Sequence, residues 1–223
     1  PTTHEDTMLG QHGRGLTKAL FTRPALALAR LGVTPNMLTV TGTLLTVLVA
    51  VTTLPQGRFL LGVALLALVV VGDSFDGILA RATGTTSVFG AFLDSTMDRV
   101  ADGAVFGSLV AWAALRLEAG ALRTTTIACG LAVVVLAEVV SYARAKAESI
   151  GTSASVGVAE RTDRLVVAGA GALAVGLGAP QWVLTAALGI VAVGSLVTVV
   201  QRVLTVRGQL RQREQAPDEV RTP

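Results

Sequence analysis

Residues 165–201 read LVVAGAGALAVGLGAPQWVLTAALGIVAVGSLVTVVQ and contain no Asp, Glu, Lys or Arg. Residues 31–57, LGVTPNMLTVTGTLLTVLVAVTTLPQG, are likewise without charge. A helix crosses a bilayer with roughly 20 apolar residues, so uncharged runs of this length decide the class. Composition agrees: of 223 residues, 52% are hydrophobic and 15% charged, where a soluble domain carries about 25% charged residues. Mean hydropathy is +0.65. Such a chain lacks the polar surface needed in water. Aromatics at 4% and 24 glycines point to helices packed closely through small side chains. The reading is an all-α integral membrane protein.

Working outward gives six spans. Thr34-Pro35 places a hydroxyl at a helix cap and Pro in the first turn, so span one runs over about 35–54. Leu54-Pro55-Gln56-Gly57 turns the chain into span two, about 59–81, and Gly84 with Thr85, Thr86 and Ser87 turns it again. Span three covers about 88–116 and span four about 124–148, ended by Gly151-Thr152-Ser153. Spans five and six, about 161–177 and 182–204, are separated by Gly178-Ala179-Pro180. Residues 14–31 form an N-terminal amphipathic helix expected to lie on the membrane surface. Residues 1–7 precede the first Met and are set aside as a tail or remnant, leaving one membrane domain over 8–206. The polar residues 207–223 are expected to fray.

Several classes drop out. Cys129 sits alone in an apolar run and cannot form an internal disulfide. One Cys and two His, both His near the N-terminus, do not make a zinc site. The net charge of +3 could suggest nucleic acid, but the cations flank spans, and membrane lipid headgroups explain them better. No cleavable signal peptide is visible. Orientation follows the positive charges. Fifteen of the 18 Lys and Arg fall on the side shared by both termini and the loops after spans two and four. That puts the termini in the cytoplasm of a multi-pass cell-membrane protein.

Five carboxylates interrupt this apolar scheme. Residues 69–81 read VVVGDSFDGILAR and residues 87–103 read SVFGAFLDSTMDRVADG, setting Asp73, Asp76, Asp94, Asp98 and Asp102 in membrane helices. Carboxylates at that depth cost several kcal/mol and are functional by default. Asp73 and Asp76 lie three apart, and Asp94 and Asp98 four apart, so each pair shares a helix face. In an antiparallel hairpin, 73 lies level with 98, 76 with 94, and 81 with 90. Four acids so assembled need cations. Oxygen-only ligation suits Mg²⁺ or Mn²⁺, and two such ions suit in-line displacement at phosphorus. Gly77 and Gly90 clear space for a ligand beside Asp76 and Asp94. Asp102 continues the face and is expected to support Arg99 or a neighbouring helix.

Asp73-x-x-Asp76-Gly77-x-x-Ala80-Arg81, eight residues, Gly90, three residues, Asp94, three residues, Asp98 resembles the complete signature of the CDP-alcohol phosphotransferase family. The resemblance implies a six-helix membrane fold that moves a phosphatidyl group from CDP-diacylglycerol to an alcohol and releases CMP. It implies one metal on Asp73, Asp76 and Asp94 and a second on Asp73, Asp94 and Asp98. It also implies Asp98 as general base, which chemistry near a developing phosphoryl charge requires. Gly77, Arg81 and Ser87 match donor-nucleotide positions, and Asn36, Met37, Leu38 and Thr39 resemble the other donor contact. A homodimer is expected on the same ground.

The acceptor is read elsewhere. Span four ends SYARAKAESIG with Ser141, Arg144 and Lys146; span five opens with Arg161 and Arg164; span six ends near Arg202. Cations gathered on one side of the membrane suit an acceptor carrying its own phosphate. These segments resemble the actinobacterial branch of the family, which implies inositol 1-phosphate as acceptor. Ser141, Arg144, Arg164 and Arg202 are the principal phosphate candidates, with Arg161 and Lys146 beside them. The alternatives are glycerol 3-phosphate as acceptor, a membrane prenyltransferase, or a cation transporter lined by the acids. Metal-dependent CMP release separates the first reading from the last two.

Overall fold

The structure, a computed structural model, describes residues 32–83 and 87–215, except for the side chains of residues 71 and 73–83. The expected surface helix over 14–31, the segment 1–7 and the residues from 216 onward lie outside the described residues. Among those described, the chain is helical throughout: α1 (Pro35–Thr53), a 3₁₀ turn (Leu54–Gln56), α2 (Phe59–Thr83), α3 (Val88–Arg116), α4 (Ala121–Ser149), α5 (Arg161–Gly176) and α6 (Trp182–Gln215). α1, α3 and α5 match the spans read from sequence to within a residue. α2 runs slightly further than that reading, and α4 begins earlier, directly after Gly120.

The last helix departs most. The reading stops span six at 204 and lets the chain fray from Arg207, whereas α6 continues to Gln215. Polar residues hold because they have work to do there. Gln209 and Arg213 hydrogen-bond the backbone of the segment after α4.

Three helical stretches are long and apolar enough to cross a membrane: Pro35–Gln56, Ala121–Ser149 and Trp182–Gln215. The other expected spans do not reach that standard for visible reasons. α3 carries Asp94, Asp98, Arg99 and Asp102 in its first half, and α5 has only 16 residues, opening on Arg161, Asp163 and Arg164. Large apolar side chains point outward, among them Leu115, which is 71% exposed, with Leu68, Ile190 and Val193. Such a surface suits hydrocarbon rather than water.

The chain divides into two compact units, 1–48 with 65–101 and 49–64 with 102–223. The first contains the start of α1, where Thr34 Oγ1 accepts the Met37 N–H at 3.3 Å and caps the helix as the sequence suggests. It also contains the start of α3, where Ser87 Oγ accepts the Gly90 N–H at 2.9 Å. Ser87, read as a turn residue, is thus an N-cap.

The second unit holds most of the core. Buried positions recur every three or four residues along α4 (Thr126, Gly130, Val133, Ala137, Val140), α5 (Arg164, Ala168, Gly171) and α6 (Leu184, Leu188, Val191, Ser195, Thr198, Arg202). That period is one face of a helix. α4 and α5 both pack on α6, and small residues set the spacing: a Cβ on Gly171 would fall 2.5 Å from Ala187 Cβ. Thr126 and Thr185 join their hydroxyls at 2.6 Å, satisfying two polar groups inside an apolar contact. Phe59 meets Trp112 edge to face at 5.1 Å. Gly57, at φ +74°, closes the 3₁₀ turn in the left-handed region that glycine enters without strain.

Candidate active site

The helical backbone of α2 runs through Asp73 and Asp76, so the three-residue spacing does put both on one face. The side chains of Asp73, Asp76, Gly77 and Arg81 lie outside the described residues, and the expected meeting of four carboxylates is not on view. Among the described residues no three Asp, Glu, His or Cys side chains assemble around a metal position. The acids of α3 sort clearly by burial. Asp94 is exposed and Asp98 half-buried, with Arg99 NH2 4.0 Å from its Oδ2. Asp102, one turn further on, is 1% exposed and committed to arginines.

A Cβ built on Gly90 would lie 3.1 Å from Ser87 Oγ and 3.3 Å from Asn36 Oδ1. The missing side chain therefore leaves a notch lined by oxygen, one turn before Asp94. Accessible carboxylates and neutral oxygens are the donors that hard divalent cations take. The described half of the expected ligand set fits such an ion.

Gly90 also brings two sequence-predicted donor positions, Asn36 and Ser87, to one place. Beside them, an open cleft of about 330 Å³ has Asn36, Met37, Val40 and Thr41 among its walls. Those four residues share one face of α1, since 36 with 40 and 37 with 41 lie four apart and 37 with 40 three apart. The cleft takes in Asn36 and Met37 of the predicted segment 36–39. Leu38 is not among the described walls, and Thr39 is buried, with its Oγ1 donating to Pro35 O at 3.2 Å. Val40 and Thr41, not singled out from sequence, stand beside Asn36 and Met37 in the walls of the cleft.

The acceptor candidates all fall in the second unit, around the segment 150–160 that joins α4 to α5. Arg202 is 5% exposed; its Nε donates to Val156 O at 2.9 Å and its NH1 to Val140 O. Arg164 is 1% exposed, donates from NH1 to Ala159 O at 3.0 Å, and lies 3.6 Å from Asp102 Oδ2. Arg161 is partly exposed and donates from Nε to Asp102 Oδ1 at 2.9 Å. Arg144 is exposed and pairs with Glu148 at 3.0 Å. Arg144 and Arg164 both lie within electrostatic reach of Arg202, as do Glu148 and Glu160. Ser141 turns its hydroxyl back to Ala137 O at 3.0 Å, and Lys146 is exposed.

Arg164 and Arg202 are thus oriented by backbone carbonyls, Arg164 also by the buried Asp102, while the exposed Arg144, within electrostatic reach of Arg202, pairs with Glu148. Guanidinium clusters of this kind suit a phosphate. Asp102 is the residue whose role the sequence left open. Of the two roles expected for it, support of a neighbouring helix is the one on view: it bridges Arg161 and Arg164 of α5. The only signal for it was its register on the acid face of α3.

The family model described as CDP-alcohol phosphatidyltransferase matches residues 32–200. The chain is 43% identical over 192 residues to the phosphatidylinositol phosphate synthase of Mycobacteroides abscessus, covering 86% of each chain. It is 42% identical over 215 residues to the enzyme of that name from Streptomyces avermitilis, covering 94% of this chain and 86% of the other. Crystal structures of the Mycobacterium tuberculosis phosphatidylinositol phosphate synthase superpose with it at 32% identity. The form in complex with manganese and citrate gives a TM-score of 0.79 over 91% of this chain and 93% of that one. The form with CDP-DAG bound gives 0.80 over 92% and 98%. With the family model spanning three-quarters of its length, the acid signature complete and the fold shared, this chain belongs to the CDP-alcohol phosphatidyltransferase family.

Proposed function

We propose that this membrane enzyme transfers a phosphatidyl group from CDP-diacylglycerol to inositol 1-phosphate, releasing CMP and leaving phosphatidylinositol phosphate in the bilayer. The observation that carries this reading is the likeness to phosphatidylinositol phosphate synthases along nearly the whole chain, 43% over 86% of both. The relative's structure with CDP-DAG bound supports the donor. The grouping of Arg144, Arg164 and Arg202 supports an acceptor that carries a phosphate. A neutral alcohol would not need three buried or clustered cations.

The residues divide the work as follows. Asp73, Asp76, Asp94 and Asp98 would hold two divalent ions, Mg²⁺ or Mn²⁺, in keeping with the manganese in the related crystal structure. Bound there, such ions supply positive charge to the donor's diphosphate. Asn36, Met37, Leu38, Thr39, Gly77, Arg81 and Ser87 bind the donor. Arg81 pairs with diphosphate oxygens, and Gly77 and Gly90 leave room for the nucleotide. Ser141, Arg144, Lys146, Arg161, Arg164 and Arg202 orient the acceptor through its phosphate. Asp98 takes the proton of the acceptor hydroxyl at a carboxylate oxygen while that hydroxyl oxygen bonds to phosphorus. The bond from phosphorus to the CMP oxygen breaks in the same displacement.

The molecule is one membrane domain over 8–206 with six crossings and a surface helix over 14–31. Both termini and the site face the cytoplasm of the cell membrane, and two copies form a homodimer. The positive charges gathered on the terminal side support this orientation. The test is CMP release from CDP-diacylglycerol with each acceptor supplied singly. Turnover is expected with inositol 1-phosphate and not with free inositol or serine. Turnover with glycerol 3-phosphate and none with inositol 1-phosphate would remove the acceptor assignment. Ion flux without CMP would remove the enzyme.

A further inference from the structure

The segment between α4 and α5, residues 150–160, has no regular structure, so its backbone polar groups depend on partners from other elements. Two glycines, Gly151 at φ +69° and Gly157 at φ +156°, leave this backbone little stiffness of its own. Even so, its carbonyls hold the acceptor-site arginines: Val156 O receives Arg202 Nε and Ala159 O receives Arg164 NH1. Together with Val140 O and Asp102, this segment sets where those guanidiniums point.

Its far half is fastened to α6 by Thr198, whose Oγ1 accepts the Ala159 N–H at 3.1 Å. A side chain on Gly157 would collide with that same threonine. Its near half is fastened by the unforeseen extension of α6. The Gln209 amide copies a backbone pairing with Ser153: Oε1 accepts the Ser153 N–H at 3.0 Å and Nε2 donates to Ser153 O at 2.7 Å. One turn on, Arg213 donates to Ile150 O at 3.5 Å and to Gly151 O. A cation on the carbonyls that end α4 also meets the negative end of that helix favourably.

We propose that Gln209 and Arg213 are positioning residues for the acceptor-phosphate site. They form a clip from the last helix that fixes the 150–160 segment and, through its carbonyls, the guanidiniums of Arg164 and Arg202. This rests on the acceptor reading above. The clip touches no substrate. It acts on acceptor affinity and leaves the donor alone.

The experiment uses the full-length protein in lipid nanodiscs, with Gln209→Ala, Arg213→Ala, Gln209→Glu and Arg213→Lys beside the unaltered chain. CMP release is measured with the acceptor titrated at saturating CDP-diacylglycerol, then with the donor titrated. Hydrogen exchange of residues 150–160 is followed in parallel. Each alanine change is expected to raise the acceptor KM about three- to tenfold, roughly the weight of one hydrogen bond, with donor KM unchanged and exchange in 150–158 faster. Gln209→Glu keeps the bond from the Ser153 N–H but sets a carboxylate oxygen against Ser153 O, so its KM should rise at least as far as that of Gln209→Ala. Arg213→Lys should restore much of the acceptor affinity.

Faster exchange with an unchanged acceptor KM would overturn the proposal, as would equal rises in both KM values. Gln209→Glu, which keeps the side chain's size, decides the matter if an alanine variant does not fold. The functional reading fails separately. If the unaltered protein prefers another phosphorylated alcohol, inositol 1-phosphate is lost as acceptor, and the clip is judged on the KM of the alcohol actually used.

Discussion

Asp98 and Asp102 stand one turn apart on α3, yet their surroundings give them opposite work. Asp98 keeps about a quarter of its side chain accessible, as a group that must meet a hydroxyl requires. Asp102 is sealed and holds Arg161 and Arg164. Asp98→Asn should lower turnover by about 10²–10⁴-fold, the usual weight of general acid–base catalysis, while thermal unfolding stays near that of the unaltered protein. Single-turnover CMP formation checks it, and near-normal rates would return Asp98 to a structural role. Asp102→Ala should instead cost about 3–5 kcal/mol of stability, because it strands a buried guanidinium. Denaturant unfolding in detergent checks that, and a loss below about 1 kcal/mol would show that the Ala159 carbonyl suffices for Arg164. The four acids of the signature were legible in sequence because charge is conspicuous in an apolar helix and spacing fixes its face. The partners of Asp102 were not, because Arg161 lies 59 residues away and no local rule joins them.

At the scale of elements, helix starts were the easiest features to read. Thr34-Pro35 announced α1 through a hydroxyl cap and a proline in the first turn, and both appear. The end of α6 was harder. A reading by hydropathy stops where apolar residues stop, whereas Gln209 and Arg213 extend the helix by bonding a segment more than 50 residues earlier. Within the expected donor segment, Asn36 and Met37 line the cleft while Thr39 is buried. Close helix packing gives its own prediction. Gly171→Ala would drive a methyl into Ala187 across the α5–α6 contact, and neither partner is a flexible side chain that could swing away. Overpacking of this kind costs about 1–3 kcal/mol. A lowered midpoint of thermal unfolding is expected, and an unchanged midpoint would mean that the two helices separate without loss.

Among the described residues, many large apolar side chains are exposed while the buried ion pairs gather where α3 meets the start of α5. The class of the whole molecule was legible from composition alone, because 15% charge cannot clothe 223 residues in water. The acid signature should make turnover wholly dependent on divalent metal. Chelation is expected to abolish CMP release, and either Mg²⁺ or Mn²⁺ to restore it, since an all-oxygen donor set accepts both. Activity that persisted in excess chelator would remove the metal role of the four aspartates. The most direct test of the central claim is a competition. Inositol 1-phosphate and glycerol 3-phosphate are supplied together at equal concentration with CDP-diacylglycerol, and the lipid product is identified by its mass. A product that is predominantly phosphatidylinositol phosphate is predicted; phosphatidylglycerophosphate as the main product would contradict the account.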